Sequence, residues 1–369
     1  MKIAIYHPNL HFFGGGEMVS LTLAEALSKK YDVDFIASKY VKTKEINEFY
    51  NLDISKINFK FINNWLLNFP YLNSIKSSLF LKLTYNLFNK YDLIIDTCTN
   101  GWFDKKIIPR TICYIHFPIF FGKKKGIKSI LNSFLIHPEK AFQYDNIICN
   151  SNFTKKEILK YNIDYNKISV IYPPVDVENI LPNKNKKNII VSIGRFTKEK
   201  KHEIMIDSFK KLNIKGWELH LIGSFKEGNE LYDKNYLSML KKKSINNNVF
   251  IHENMPHINV LKFLEKSKIY WHARGYSEKN KSEYENFGIS TVEAMAAGCL
   301  PIVINLGAQP EIVKNNKNGY CWNSQDELIE ITQRIINDFP KKLLLNAIKS
   351  SQKYSKNKFV MNFTSKLKK

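Results

Sequence analysis

Ile3-Ala4-Ile5-Tyr6, then Pro8, then Gly14-Gly15-Gly16-Glu17-Met18 is the stretch that decides the fold. A short apolar run stopped by proline reads as a buried first strand. The glycines form a turn, and a helix is expected from about Met18 to Lys30. Strand, glycine turn and helix make a phosphate-binding unit, because glycine lets the backbone come close and the helix start offers free amides. The glycines lack the G-x-G-x-x-G spacing of dinucleotide enzymes, so a nicotinamide cofactor has no support.

Working outward, apolar runs follow at Val33–Ala37, Leu93–Asp96, Ile112–His116 and Ile147–Asn150, separated by helix-like stretches. Tyr172-Pro173-Pro174 interrupts the pattern, and Pro182–Asn188 is polar and linker-like. The alternation then restarts at Ile189–Ile193, Leu219–Ile222, Val249–His252, Ile269–Trp271 and Leu300–Ile304. This predicts an α/β protein of two Rossmann-like halves facing a cleft, with ligands at the carboxyl ends of parallel strands.

Glu285-Asn-Phe-Gly-Ile-Ser-Thr-Val-Glu293 opens the chemically richest segment of the second half. A helix is expected over Ile289–Ala297 with Gly298 as its C′ residue. The amides of Phe287, Gly288 and Ile289 would be unpaired donors at its start, where an anion such as a diphosphate is favoured. Glu285 and Glu293 beside a diphosphate are costly unless they accept hydrogen bonds from hydroxyl groups, and phosphate plus polyhydroxyl describes a sugar nucleotide. The competing reading is a capped surface helix with two solvated glutamates. Gly194-Arg195 with Lys200 follows the first strand of this half, so two cations can face a diphosphate. His116 closes the strand Ile112–Ile115; a lone strand-end histidine is more often structural than catalytic.

The chain has 369 residues, which favours two domains. Its 44% hydrophobic and 13% aromatic content is that of a globular protein. Lys and Arg exceed Asp and Glu by 56 − 34 = 22. That surplus implies an anionic partner, unless it is a compositional habit of the source. Cys98, Cys113, Cys149, Cys299 and Cys321 form no C-x-x-C pair, which suggests reduced thiols and a cytosolic setting. No signal peptide or membrane span is evident. His202, His252, His257 and His272 lack metal-ligand spacing, so no metal site is expected. Asp32-Val-Asp34 sits at a strand start, away from the other candidates, and is set aside.

Two segments stand apart. Ser55 to Tyr91 holds five lysines and no acid, with many apolar and aromatic residues. Lys105 to Pro138 is also without acids, and Phe117–Phe121 runs into Lys123–Lys125. Such segments suit an anionic membrane surface; they suit equally a core helix with a lysine-rich outer face. The tail from Phe339 carries nine lysines and reads as well as a solvated helix.

Taken in order, the glycine loop, His116, Asn150-Ser151, Gly194-Arg195 with Lys200, and Glu285-x7-Glu293 resemble a retaining family-4 glycosyltransferase of GT-B architecture over essentially the whole chain. His7-Pro8, Glu17, Tyr172-Pro-Pro-Val-Asp176 and Glu199-Lys200 with His202 narrow the resemblance to α-1,2-mannosyltransferases that extend lipid-linked oligosaccharide from GDP-mannose. The resemblance implies an acceptor domain over 1–174 with 350–369 packing back on it, and a nucleotide-sugar domain over 175–349. It implies that Gly15 and Gly16 approach the donor diphosphate and that Arg195 and Lys200 compensate its charge. Glu285 with the amides of Phe287, Gly288 and Ile289 would hold sugar and phosphate. Glu293 would take the ribose hydroxyls, His116 the transferred sugar, and Asn254 the base. It further implies no metal and no cofactor beyond the nucleotide sugar, a lipid-linked or glycan acceptor, and a peripheral place on the cytosolic face of a membrane. In one respect the chain departs from these mannosyltransferases. Between His272 and Glu285 they have a short link, and this chain has twelve residues, Ala273–Tyr284, beside the expected donor sugar. A UDP-sugar donor in envelope or glycan assembly therefore stays open. The sequence also leaves room for a sugar-nucleotide epimerase, a sugar-binding module or a basic nucleic-acid-binding protein. The last has the charge but no recognition signature.

Overall fold

The computed structural model describes residues 1–12, 14–50, 52–61, 88–97, 110–117, 144–161, 163–183, 185–225 and 233–367. The chain divides into one unit of residues 1–174 with 359–369, and a second of residues 175–358.

In the first unit, β1 (Lys2–Tyr6), β2 (Asp32–Ala37), β3 (Asn58–Phe61), β4 (Leu93–Asp96), β5 (Thr111–Ile115), β6 (Asn146–Cys149) and β7 (Ile168–Val170) form a sheet in the order β3-β2-β1-β4-β5-β6-β7. Every pairing is parallel. Alternate residues feed different cores: Ile3 and Ile5 join one cluster with Val33, Phe35 and Leu93, while Ala4 and Tyr6 join another with Ile36, Ile94 and Cys113. A strand buried on both faces must be apolar throughout, which is why these strands read as continuous hydrophobic runs.

In the second unit, β8 (Lys187–Ile193), β9 (Glu218–Gly223), β10 (Val249–Glu253), β11 (Ser267–His272), β12 (Leu300–Ile304) and β13 (Tyr320–Trp322) form a parallel sheet in the order β10-β9-β8-β11-β12-β13. Its core is built on Ile190, Leu219, Leu221, Ile269, Trp271 and Ile302, closed by the helices His202–Leu212, Lys234–Ser244 and Gln325–Asn337. Both units are Rossmann-like, as a GT-B chain requires. Cys113, Cys149 and Cys299 are buried, and Cys321 is half-buried. Cys98 lies outside the described residues.

Two expectations are corrected, while His116 stands where it was expected, directly after Ile115 at the end of β5. The first helix starts at Gly15, not near Met18, and ends at Ser28. It can start so early because the Glu17 carboxylate accepts the Gly14 amide (2.7 Å). The return to the first unit begins at Phe359, not at residue 350. Residues just before it stay with the second unit: the Val175 amide donates to the Tyr354 carbonyl (2.9 Å), and Lys356 Nζ to Asp176 (3.0 Å). Then Phe359, Phe363 and Leu367 enter the first unit's core, and Arg110 donates to the carbonyls of Leu367 (2.8 Å) and Lys366 (3.0 Å). Among the described residues no helix is long and apolar enough to cross a membrane. Most of the two basic aromatic segments lies outside the described residues.

Phe363 is fully buried, so Phe363→Ala is expected to destabilise the first unit by about 3–5 kcal/mol. Hydrogen–deuterium exchange should show β1, β4 and β5 losing protection while β8, β11 and β12 keep theirs.

Candidate functional site

At the end of β8 the chain turns through Gly194 and Arg195 into a 3-10 turn, Lys198–Lys200. The Gly194 amide donates to the Ile222 carbonyl (3.0 Å), tying the turn to β9. The Lys200 side chain runs across Gly194, where an added Cβ would meet Lys200 Cδ at 3.1 Å. Lys200 Nζ reaches Glu285 Oε2 at 2.7 Å. From the end of β11, His272 Nε2 approaches the same oxygen at 3.1 Å, and Arg274 Nη1 approaches Glu285 Oε1 at 3.2 Å. The side chains of Lys200, His272, Arg274 and Glu285 are 14%, 4%, 13% and 13% exposed. A carboxylate cannot donate, so His272 carries its proton on Nε2. Burial also holds this imidazole below its ordinary pKa, hence neutral. Burial pushes the Glu285 carboxyl up, but Lys200, Arg274 and His272 together hold it well below the usual carboxylate range. Burial lowers Lys200 despite its pairing with Glu285.

Glu285 is placed by its backbone. Its carbonyl accepts the Ala308 amide (2.8 Å), and it lies against Gly307, where a Cβ would come within 2.4 Å of the Glu285 oxygen. Gly288 begins the helix Ile289–Ala296 at φ 117°, and a Cβ there would meet Gln309 Nε2 at 2.2 Å. Gln309 in turn donates to the Phe287 carbonyl (3.2 Å) and accepts from Thr291 Oγ1 (3.0 Å). The amides of Gly288 and Ile289 meet no acceptor among the described residues. At the other end, Lys186 Nζ donates to the Ala297 carbonyl (2.5 Å), and Gly298 takes φ 77° as a C′ residue does. Glu293 is buried and paired with His257 Nε2 at 2.9 Å. That hydrogen bond raises the His257 pKa against the opposing effect of burial. Asn254, at φ 54° after β10, accepts the Phe225 amide on Oδ1 (2.9 Å).

The loop Ala273–Tyr284 is folded onto the Lys198–Lys200 turn and the residues beside it. The Gly275 amide donates to the Glu199 carbonyl (3.1 Å), and Lys201 Nζ pairs with Glu278 at 2.5 Å. Arg274 Nε donates to the Glu283 carbonyl (3.0 Å), and Tyr284 OH to the Glu278 carbonyl (3.1 Å). Arg195 is exposed and makes no bond to Glu285. Arg274 is the cation at this carboxylate that sequence reasoning missed. The signal for Arg274 was its position, two residues after a strand end that already carried His272.

In the first unit, Gly15 and Gly16 are the opening residues of the helix Gly15–Ser28, and Gly16 faces His116. A Cβ on Gly16 would sit 3.4 Å from His116 Nε2. Burial lowers His116 to about 4, with His7 adding to the effect, so its ring is neutral near pH 7. The ring bonds to the backbone of Thr97, which leaves Nε2 buried without a partner among the described residues. His7 bridges Thr97 Oγ1 (2.8 Å) and Glu17 Oε1 (3.3 Å). Burial raises Glu17, yet the His7 hydrogen bond and charge, with the Glu17 and Gly14 amides, bring it below its ordinary value. The Gly14 amide is thus already given to Glu17. Among the described residues no group of three or more His, Cys, Asp or Glu is arranged to hold a metal ion.

Residues 13–179 match the family Glycosyltransferase Family 4, and residues 176–357 match Glycosyl transferases group 1. The chain is similar to the human GDP-Man:Man(3)GlcNAc(2)-PP-Dol alpha-1,2-mannosyltransferase, 24% identical over 100% of this chain and 87% of that protein. It is similar to the Candida glabrata alpha-1,3/1,6-mannosyltransferase ALG2, 25% identical over 85% of this chain and 78% of that one. Among solved structures it superposes on Anabaena Alr3699/HepE, in complex with UDP and glucose, with a TM-score of 0.78 at 16% identity, covering 100% of this chain and 99% of that one. The two family matches run end to end over the two Rossmann-like units, and the chain belongs to the family-4 glycosyltransferases of GT-B fold, mannosyltransferase-like in its relatives.

Proposed function

We propose that this glycosyltransferase is retaining and metal-independent, and that it moves mannose from GDP-mannose to a lipid-linked or glycan acceptor at the cytosolic face of a membrane. The observation that carries the reading is Glu285: a buried carboxylate held ionised among surplus positive charge, just before a helix start with open amides. Hydroxyls of the donor sugar would donate to its oxygens. Lys200, Arg195 and the Gly288 and Ile289 amides would take the diphosphate, filling the role a metal plays in other transferases. The sugar–phosphate bond breaks with its electron pair going to the nucleoside diphosphate. The acceptor oxygen attacks from the same face, and its proton passes to the departing phosphate. His116, neutral and with Nε2 free to accept, would take a hydroxyl of the transferred sugar. Glu293 would hold the ribose and Asn254 the base, Gly15 and Gly16 would approach the donor diphosphate, and the Phe287 amide would join those of Gly288 and Ile289. The names of the human and other dolichol-linked relatives support GDP-mannose and a lipid-linked acceptor. The formal charge of +22 supports an anionic surface as partner. A second reading, a UDP-sugar donor, is favoured by the loop Ala273–Tyr284, which brings Arg274 onto the sugar-binding carboxylate.

Thermal unfolding against UDP, GDP and their sugars tests the donor. A ligand at about 100 times Kd adds roughly 2.7 kcal/mol. Stabilisation by GDP and GDP-mannose alone is expected. A preference for UDP species replaces mannose transfer by the second reading, and silence from every nucleotide removes both.

Lys200→Ala and Glu285→Gln are expected to lower kcat by about a hundredfold or more. Near-normal turnover in either variant defeats the assignment. Glu285→Ala is a poorer probe, because it leaves two buried cations unpaired and costs about 3–5 kcal/mol of stability.

The folded-state pKa of His116, about 4, lies below its ordinary 6.5. Its contribution is therefore complete above pH 6.5 and is lost as pH falls towards 4. Urea unfolding should show stability declining across that window. His116→Gln should flatten the decline by roughly 1–3 kcal/mol; an unchanged slope would mean the ring is solvated.

A further inference from the structure

Arg274 uses few of its donors. Nε is given to the Glu283 carbonyl and Nη1 to Glu285, and Nη2 has no acceptor among the described residues. A guanidinium carries five N–H bonds in a planar fork. Lys200 likewise gives Glu285 one of its three. Arg274, which is always charged, and the Lys200 ammonium face one carboxylate, which leaves positive charge in excess where the two side chains are 13% and 14% exposed. Such a charge is costly until an anion joins it. Arg195, in contrast, stands exposed and apart from the carboxylate.

We propose that Arg274 is a third cationic ligand of the donor diphosphate, delivered by the loop Ala273–Tyr284; the inference rests on the donor reading above and names a residue that reading did not assign. The loop is strapped to the segment that carries Lys200 by two bonds, Gly275 N–H to the Glu199 carbonyl and Lys201 to Glu278. Lys200 and Arg274 thus stand on opposite oxygens of Glu285 with a spacing set by the carboxylate itself. The guanidinium keeps Nη1 on Glu285 and extends Nη2 to a phosphate oxygen. A planar fork can bridge two anions in this way, whereas an ammonium acts as a point charge. Arg274 is then a specificity residue as well, since it rewards a second phosphate.

Calorimetric titration of the full chain with UDP, GDP, UMP and GMP tests this. Arg274→Gln is expected to weaken the preferred diphosphate by about tenfold or more, on the order of 1.4 kcal/mol. The matching monophosphate should change far less, and Arg274→Lys should restore only part of the loss. Diphosphate affinity within about twofold of wild type, or equal losses for mono- and diphosphate, overturns the proposal and leaves the donor reading standing. If Arg274→Gln does not fold, Glu278→Gln decides, because it removes the ion pair of the strap without touching the cluster. It should weaken the diphosphate by about threefold or more, and an unchanged affinity again overturns the proposal. A wild-type chain that binds none of the four nucleotides takes down the donor reading and this inference together.

Discussion

Three separate pieces of the second unit converge on the Glu285 carboxylate: the turn after β8 through Lys200, the end of β11 through His272 and Arg274, and the approach to the helix Ile289–Ala296. A buried ion pair is a weak source of net stability, because desolvation consumes most of its attraction. Its value here is geometric. The carboxylate fixes how far the lysine and the arginine stand from one another and from the open amides beyond it. The two glycines around it serve the same end, since Gly307 lets the Glu285 backbone lie flat and Gly288 lets Gln309 brace the helix start. A cluster with a cationic surplus, an ionised acceptor and unpaired amides is prepared for a ligand that is both anionic and rich in hydroxyls.

Much of the fold was legible because a strand buried on both faces must be apolar at every position. Ile3–Tyr6, Leu93–Asp96 and Leu300–Ile304 announce themselves for that reason. Of the four sheet-edge strands only Val249–Glu253 did, and the other three did not. Asn58–Phe61, Ile168–Val170 and Tyr320–Trp322 are three or four residues long, too short for a pattern that separates them from loops. The start of the first helix was misplaced for a different reason. Glycines argue against a helix by propensity, and only the side chain of Glu17 reaching back to Gly14 overcomes that preference. Glu285 and Lys200 were legible as candidates from their places after strands. Their contact spans 85 residues of sequence, and local reading has no access to it. Arg274 was hidden by its surroundings, a charged loop that looks like any solvated surface until the strap to Glu199 and Lys201 is seen.

The first unit handles histidine chemistry by the opposite device. Where the second unit accumulates charge around a carboxylate, the first keeps its central ring uncharged, with the half-buried His116 set against Gly16 and held to the Thr97 backbone. His7 and Glu17 share the neighbouring charge between them and cap the helix start, so the nearby amide of Gly14 is already engaged. A neutral acceptor beside a capped helix suits contact with a sugar hydroxyl better than capture of a free phosphate. The division of labour between the units thus follows from how each treats buried charge.

The helix Lys356–Lys366 bears on how the protein is made. Phe359 and Phe363 come from the far end of the chain and fill the core laid down by its first strands, against Tyr114 and in one cluster with Ile3 and Ile5. A ribosome delivers those first strands long before it delivers their last packing partners. The second unit, contiguous from Val175 to Lys358, has nearly all its contacts in hand sooner. The order of completion is therefore reversed relative to the order of synthesis, and the nascent first unit waits with an open hydrophobic groove. Apolar surface left open in that interval is prone to aggregation.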